Sequence, residues 1–196
     1  IVDLYHLAQQ NMNNARNYEE YTSLADPDYF MDYLIAEIFF GCYDTYNQKF
    51  VHSTDGALRW RPVYYDFDIC LASKSTNLFG TFFRDMKLET YMHLYNGFIH
   101  NDAWKQKFIE RYAEVLNTTL STESLLTLFD GLVDSIESEI PRTAGKWPYP
   151  ASVGKWERDV ASLRSIIAAR REYVIEDIRG YFGLSDAYMK QLFPNG

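Results

Sequence analysis

The stretch GCYDTYNQKF, residues Gly41 to Phe50, is followed a short way on by YYDFD, Tyr64 to Asp68. Together they set Asp44, Asn47, Asp66 and Asp68 among aromatic and bulky apolar residues of the kind that build a core. A charge placed amid apolar surface is costly unless something pairs with it. A divalent cation is one of the few good partners. The side chains on offer are oxygen donors, the hard ligands that Mg²⁺ and Ca²⁺ prefer, with no His set beside them.

The segment between the two stretches explains how they meet. Asp55-Gly56 is a two-residue hairpin signal, with the β-formers Phe50 and Val51 before it and Trp60, Val63, Tyr64 and Tyr65 after it. Pro62 confines its strand to an edge or a bulge. A chain that runs out and returns as paired strands brings its ends to about one strand spacing, ~5 Å. The loop of Asp44 and Asn47 and the loop of Asp66 and Asp68 are therefore expected to meet at the hairpin's open end.

Around this hairpin the chain reads as mostly helical, an α+β fold with one small two-stranded element. In ADPDYFMDYLIAEIFFG, Asp26 is an N-cap, Pro27 falls at the first helical position and Gly41 is the stop. Phe30, Leu34, Ile38 and Phe39 form its apolar face. Residues 3–24 read as a polar helix or a pair of turns. NDAWKQKFIERYAEVL spaces Trp104, Phe108 and Tyr112 by four. STESLLTLFDGLVDSIESEI carries Leu125, Phe129, Leu132, Val133, Ile136 and Ile140 and is expected to stop at Pro141, before a loop rich in Pro and Gly. The long helix after it carries Trp156, Val160, Leu163, Ile167, Val174 and Ile178, and SDAYMKQLF closes the chain. These stripes are all expected to be core.

Composition narrows the class. A chain of 196 residues, 47% hydrophobic and 17% aromatic, is a folded globule rather than a disordered segment, and it reads as one domain over residues 1–196. A formal net charge of -8 argues against a nucleic-acid partner, because phosphate binding draws on clustered Lys and Arg. No apolar run is long enough for a membrane span. The start at Ile1 reads as a processed or excised piece. Cys42 and Cys70, the two cysteines, are expected as free, partly buried thiols, one bridge between them being the alternative.

The order Asp44, Asn47, hairpin, Asp66-Phe67-Asp68 follows the logic of protein kinases. There an Asp orients the acceptor hydroxyl, a following Asn binds metal, and an Asp beyond a hairpin holds Mg²⁺ on the nucleotide phosphates. The letters differ: no His-Arg precedes Asp44, and D-F-D stands for D-F-G. The run DPDYFMDYLIAEIFFGCYDTYNQKF, with DGALRWRPVYYDFD after it, resembles the CotH kinase family of bacterial spore-coat and surface proteins. FIERYAEVLNTTLSTESLLTLFDGLVDSIESEI and the segment through Tyr181-Phe182 are similar too, so the resemblance covers nearly the whole chain.

The resemblance implies a protein-kinase-like C-lobe, an atypical kinase that uses ATP with Mg²⁺ or Mn²⁺ to phosphorylate Ser or Thr on coat or surface proteins, and a place in the spore coat or at the bacterial surface. It implies Asp44 as catalytic Asp, and Asn47, Asp66 and Asp68 as residues holding metal and nucleotide. Cys42 stands where the family has Asn, and YYD replaces its P-W-D. No Gly-rich loop and no Lys–Glu pair precede Asp44, so the sequence reads as the helical part of such a domain with its N-terminal nucleotide lobe missing.

Two other classes stay open. One is an inactive pseudokinase or structural coat module that keeps the fold for binding. The other is a glycoside hydrolase using Asp44 and Asp66 as a carboxylate pair, which would act without nucleotide or metal. His6, His52, His93 and His100 show no ligand spacing. Arg164, Arg170 and Arg171 read as a solvated or salt-bridged helix face, and Arg84 as a substrate or phosphate contact.

Overall fold

A computed structural model describes residues 2–45, 47–83 and 92–194. Helices α1 (Val2–Ala8) and α2 (Ala15–Leu24) form the opening pair, and α3 (Pro27–Phe40) follows. Strands β1 (Phe50–Val51) and β2 (Arg61–Pro62) pair antiparallel, with Phe50 opposite Pro62 and Val51 opposite Arg61. A 3-10 turn spans Phe67–Ile69. Then come α4 (Phe79–Phe83), α5 (Met92–Ile99), α6 (Asp102–Asn117), α7 (Thr122–Glu137), α8 (Ile140–Lys146), α9 (Val153–Phe182) and α10 (Asp186–Leu192).

The local signals at α3 work as its sequence implies. The Asp26 side chain accepts from the Tyr29 N–H, Pro27 sits in the first turn, and Gly41 closes the helix at φ 63°. That left-handed conformation is open to Gly without a Cβ penalty. Phe30, Leu34, Ile38 and Phe39 are buried, as are Trp104, Phe108 and Tyr112 of α6. Rings from α3, α5 and α6 meet: Phe30 lies 5.0 Å from Phe98, which stacks at 5.3 Å on Trp104. Helix α5 packs on α1 so closely that a Cβ at Gly97 would lie 3.0 Å from Ala8.

Several expectations change. The hairpin is shallower than a two-residue turn would make it, because each strand has two residues and residues 52–60 form the connection. The Asp55-Gly56 signal does mark its tip, with Gly56 at φ 77° and the Asp55 carboxylate accepting from the Ala57 N–H. Trp60 leaves the hairpin ladder. Its N–H donates to Leu24 O and its carbonyl accepts from the Asp26 N–H, so it ties the hairpin to the start of α3. Pro62 tolerates its strand because a two-stranded ribbon is all edge.

Pro141 does not end the structure there. It lies in the first turn of α8, where its missing N–H costs nothing. Helix α7 is no core helix: it buries no residue completely, and Leu132 and Ile136 are 58% and 50% exposed. It packs on α9 alone for most of its length, so a single neighbour cannot cover a stripe this wide.

The cysteines are not free. Cys42 and Cys70 form a disulfide with their Cα atoms 4.3 Å apart. The hairpin that joins the two loops also brings the thiols together, which the usual burial of unpaired cysteine does not anticipate. Among the described residues no helix is long and apolar enough to cross a membrane.

Candidate functional site

The carboxylate loops are built from both ends of the hairpin. Gly41 turns the chain out of α3, and Asp44 follows in the loop, whose Asn47 N–H donates to the Asp44 carbonyl. On the return side the Val63 N–H donates to Lys49 O at 2.8 Å and continues the pairing one step past the strands. Beyond it Asp66 takes a left-handed φ of 61° and caps the 3-10 turn of Phe67–Ile69. A non-glycine residue held there stores strain, a feature that gathers at functional sites.

The two loops do meet. The Asn47 side-chain amide donates to the Asp66 carboxylate across the open end of the hairpin. The Leu71 N–H donates to Phe40 O at 2.7 Å, and the Cys42–Cys70 disulfide brackets the cluster from outside. Asp66 is held above the ordinary carboxylate range, first by its hydrogen bond with Asp68, then by slight desolvation and by repulsion from Asp68 and Asp44. Asp44 and Asp68 are thus both close enough for their charges to reach Asp66.

The cluster is not buried, however. Asp44, Asn47, Asp66 and Asp68 are all exposed, so the cost of placing charge in a core does not explain them. Their sequence neighbours Tyr43, Tyr64 and Tyr65 are exposed as well, with the Lys49 ammonium 3.4 Å from the Tyr65 ring centroid. The donor set suits a small hard cation. Mg²⁺ is ordinarily held by one or two carboxylates and completes its shell with water and phosphate oxygens. Two neighbouring carboxylates, one of them bonded to an amide, fit that description. No group of three or more His, Cys, Asp or Glu able to enclose a metal occurs among the described residues.

Three residues support the site; Arg170 and Glu37 carry little signal in the sequence, and Asp26 shows there only as a helix cap. Arg170 is fully buried rather than solvated. Its guanidinium donates to the carbonyls of Ile38 and Phe39 at the end of α3 and to Lys74 O in the loop after the D-F-D turn. A cation at a helix C-terminus offsets the dipole there, and this one also ties the end of α3 and the loop after the D-F-D turn to α9. One signal was available, since Arg170 lies in line with Ile167, Val174 and Ile178 on the apolar stripe of α9. Arg164 pairs with Asp130 on the surface as expected, and Arg171 donates to Leu116 O and to Asn117.

Glu37 is the second. It is 4% exposed, one carboxylate oxygen takes the Tyr33 hydroxyl, and the other has no hydrogen-bond partner. Burial raises its pKa, opposed by the Tyr33 bond and helped by the charge of Asp44. The third is Asp26, which accepts from Arg61 at 2.6 and 2.9 Å while capping α3, and so clamps β2 to that helix. Burial works to raise the Asp26 pKa, but the bonds from Arg61 and Tyr29 and the nearby Arg59 lower it overall. Arg84, read from the sequence as a phosphate or substrate contact, lies outside the described residues. His52 packs on Trp60 at the hairpin surface, 3.9 Å between ring centroids.

A family model described as CotH kinase protein matches residues 2–174 of the 196. No curated protein and no solved structure matches the chain.

Proposed function

Since the chain belongs to the CotH kinase family, we propose that it serves phosphoryl transfer from ATP to a Ser or Thr hydroxyl of a coat or surface protein. The observation that carries this reading is the contact between Asn47 and Asp66, which joins the two loops at the open end of the hairpin. It supports a reading in which Asp44 orients the hydroxyl and the Asn47–Asp66 pair binds metal, in the order seen in protein kinases.

In this reading the chain has a protein-kinase-like C-lobe. Asp44 faces the acceptor and accepts or orients the hydroxyl proton, and its exposure leaves it open to a polypeptide. Asp66 and Asp68, with the Asn47 side-chain oxygen, would hold Mg²⁺ or Mn²⁺, and the Asn47 amide N–H that donates to Asp66 would steady that carboxylate. A cation bound there supplies charge neutralisation on the phosphate oxygens. Arg170 and the disulfide keep the two loops in register, which matters because in-line transfer depends on positioning. The Cys42–Cys70 bridge supports an oxidising location such as a spore coat or cell surface, since reducing cytosol disfavours disulfides.

The reading is tested by transfer of labelled γ-phosphate to spore-coat or surface protein fractions, using the natural full-length protein. Asp44→Ala is expected to lower transfer by about a hundredfold or more, the scale for removing a positioned proton acceptor, and Asp66→Ala to abolish it by removing a metal ligand. Transfer that persists in both variants contradicts these roles. Absence of transfer by the wild type with both metals favours a binding module that keeps the fold without the chemistry.

A further inference from the structure

The Cys42–Cys70 bridge joins two loops of unequal anchorage. On one side Gly41 caps α3, and the N–H groups of Gly41 and Cys42 both donate to Glu37 O, at 3.0 and 3.3 Å. Cys42 is 5% exposed, and the hydroxyl of its neighbour Tyr43 lies 3.1 Å from Thr76 Oγ1. The helix end fixes this half of the bridge. On the other side Cys70 follows the 3-10 turn of Phe67–Ile69, two residues after Asp68, and is partly exposed. It lines an open cleft of about 390 Å³, so small solutes reach the bridge from the Cys70 side.

The turn that ends at Cys70 is held in a costly conformation. Asp66 and Leu71 bracket it, with left-handed φ values of 61° and 55°. Non-glycine residues persist there only where the surroundings enforce them. At the Leu71 end the enforcement is the bridge and a 2.7 Å bond from the Leu71 N–H to Phe40 O. When the bridge opens, Leu71 keeps that one bond, and half-buried Phe67 keeps its edge contacts with Tyr33 and Phe40 at 6.4 Å. Arg170 holds the chain at Lys74 O, beyond the turn. Against the cost of two left-handed residues, one backbone bond and a half-buried ring are the weaker side.

We propose that Cys42 and Cys70 form a redox switch. In the dithiol form the turn from Asp66 to Leu71 is released and its carboxylates hold a divalent cation weakly; closing the bridge assembles the site. Release of the turn stands on the geometry alone, and its effect on the cation rests on the metal reading given above. The chemistry balances with a small disulfide such as oxidised glutathione. The Cys70 thiolate attacks one sulfur of the glutathione disulfide, forms a mixed disulfide and expels one glutathione thiolate. The Cys42 thiolate then attacks Cys70 Sγ and expels the other. The two cysteines give up two electrons and two protons, which leave as two glutathione thiols. Cys70 is the point of entry, since it borders the cleft while Cys42 is buried. A dithiol reductant runs the same steps backward. A site built this way stays open in a reducing cytosol and is assembled in an oxidising location.

The test compares the natural full-length protein in its oxidised form with the same protein reduced by dithiothreitol under nitrogen. Hydrogen exchange over seconds to minutes, followed by mass spectrometry, reads residues 66–71. Mn²⁺ titration without nucleotide, followed by electron paramagnetic resonance, reads the cation. Reduction is expected to speed exchange in 66–71 and to weaken Mn²⁺ binding, each by about tenfold, the scale for releasing one strained residue. Over the same window α3 and α9 should stay protected, and oxidised glutathione should restore both values. The double variant Cys42→Ser, Cys70→Ser should match the reduced protein and respond to neither reagent; the wild-type comparison stands if that variant fails to fold. Exchange in 66–71 that is equal in both forms overturns the switch, as does Mn²⁺ affinity that ignores reduction. Protection lost across α3 and α9 also overturns it, because the bridge then supports the whole fold and not one turn. Release of the turn with no Mn²⁺ bound by the oxidised protein keeps the conformational switch and overturns the metal reading.

Discussion

Glu37 stands one helical turn before Gly41, beneath the loop that carries Asp44, and one of its carboxylate oxygens has no partner. Burial makes the folded state hold the Glu37 proton more tightly than the unfolded chain does. The folded state therefore binds more protons once pH rises above the ordinary glutamate value, and stability falls with pH from there through the raised pKa. Below that window the effect is absent. Glu37→Gln removes the titration and keeps an oxygen for the Tyr33 hydroxyl. The midpoint of Glu37→Gln minus that of the wild type should therefore grow between pH 4.5 and 8, by a few degrees for each ~1 kcal/mol. Thermal unfolding across that range checks it, and a difference independent of pH would contradict a protonated Glu37. At this scale the sequence was partly legible. Asp44, Asn47, Asp66 and Asp68 were visible because carboxylates stand out among aromatics. Glu37 and Arg170 were not, because each looks like one more charge on a helix until the neighbours that bury it are known.

Among the elements, α3 was readable to its last residue, since Asp26, Pro27 and Gly41 are local signals that need no tertiary context. The hairpin was readable in place but not in length, because its pairing is shared with Leu24 and Asp26 through Trp60. Helix α7 had the pattern of a buried helix, yet burial depends on what lies opposite, and one helix alone packs along most of it. The disulfide is the device at this scale, joining two loops separated by 28 residues. Chain entropy alone gives such a closure ~3.5 kcal/mol of stability. The double variant Cys42→Ala, Cys70→Ala is expected to lose about that much unfolding free energy and to unfold at a lower denaturant midpoint, with a somewhat steeper slope because the uncrosslinked chain expands. An unchanged midpoint would show that Arg170 and the Leu71–Phe40 bond hold the loops without the bridge.

Across the whole molecule the helices build one aromatic-rich core, and the site lies on its surface where α3, the hairpin and α9 converge. The family was legible in the sequence because its signals are spread over the chain, and the match over residues 2–174 bears that out. The mostly helical class with one small antiparallel sheet was legible for the same reason. The exposure of the carboxylates was not, because apolar neighbours in sequence suggested burial while the hairpin's open end faces outward. This geometry makes the proposal specific: Asp66 and Asp68, steadied by Asn47, would bind a nucleotide through a divalent cation. Calorimetric titration of ATP with Mg²⁺ or Mn²⁺ into the natural full-length protein and its Asp66→Ala variant tests it most directly. The account predicts binding that requires the metal and is lost in Asp66→Ala. Binding undiminished by that substitution, or no binding by the wild type with either metal, would contradict it.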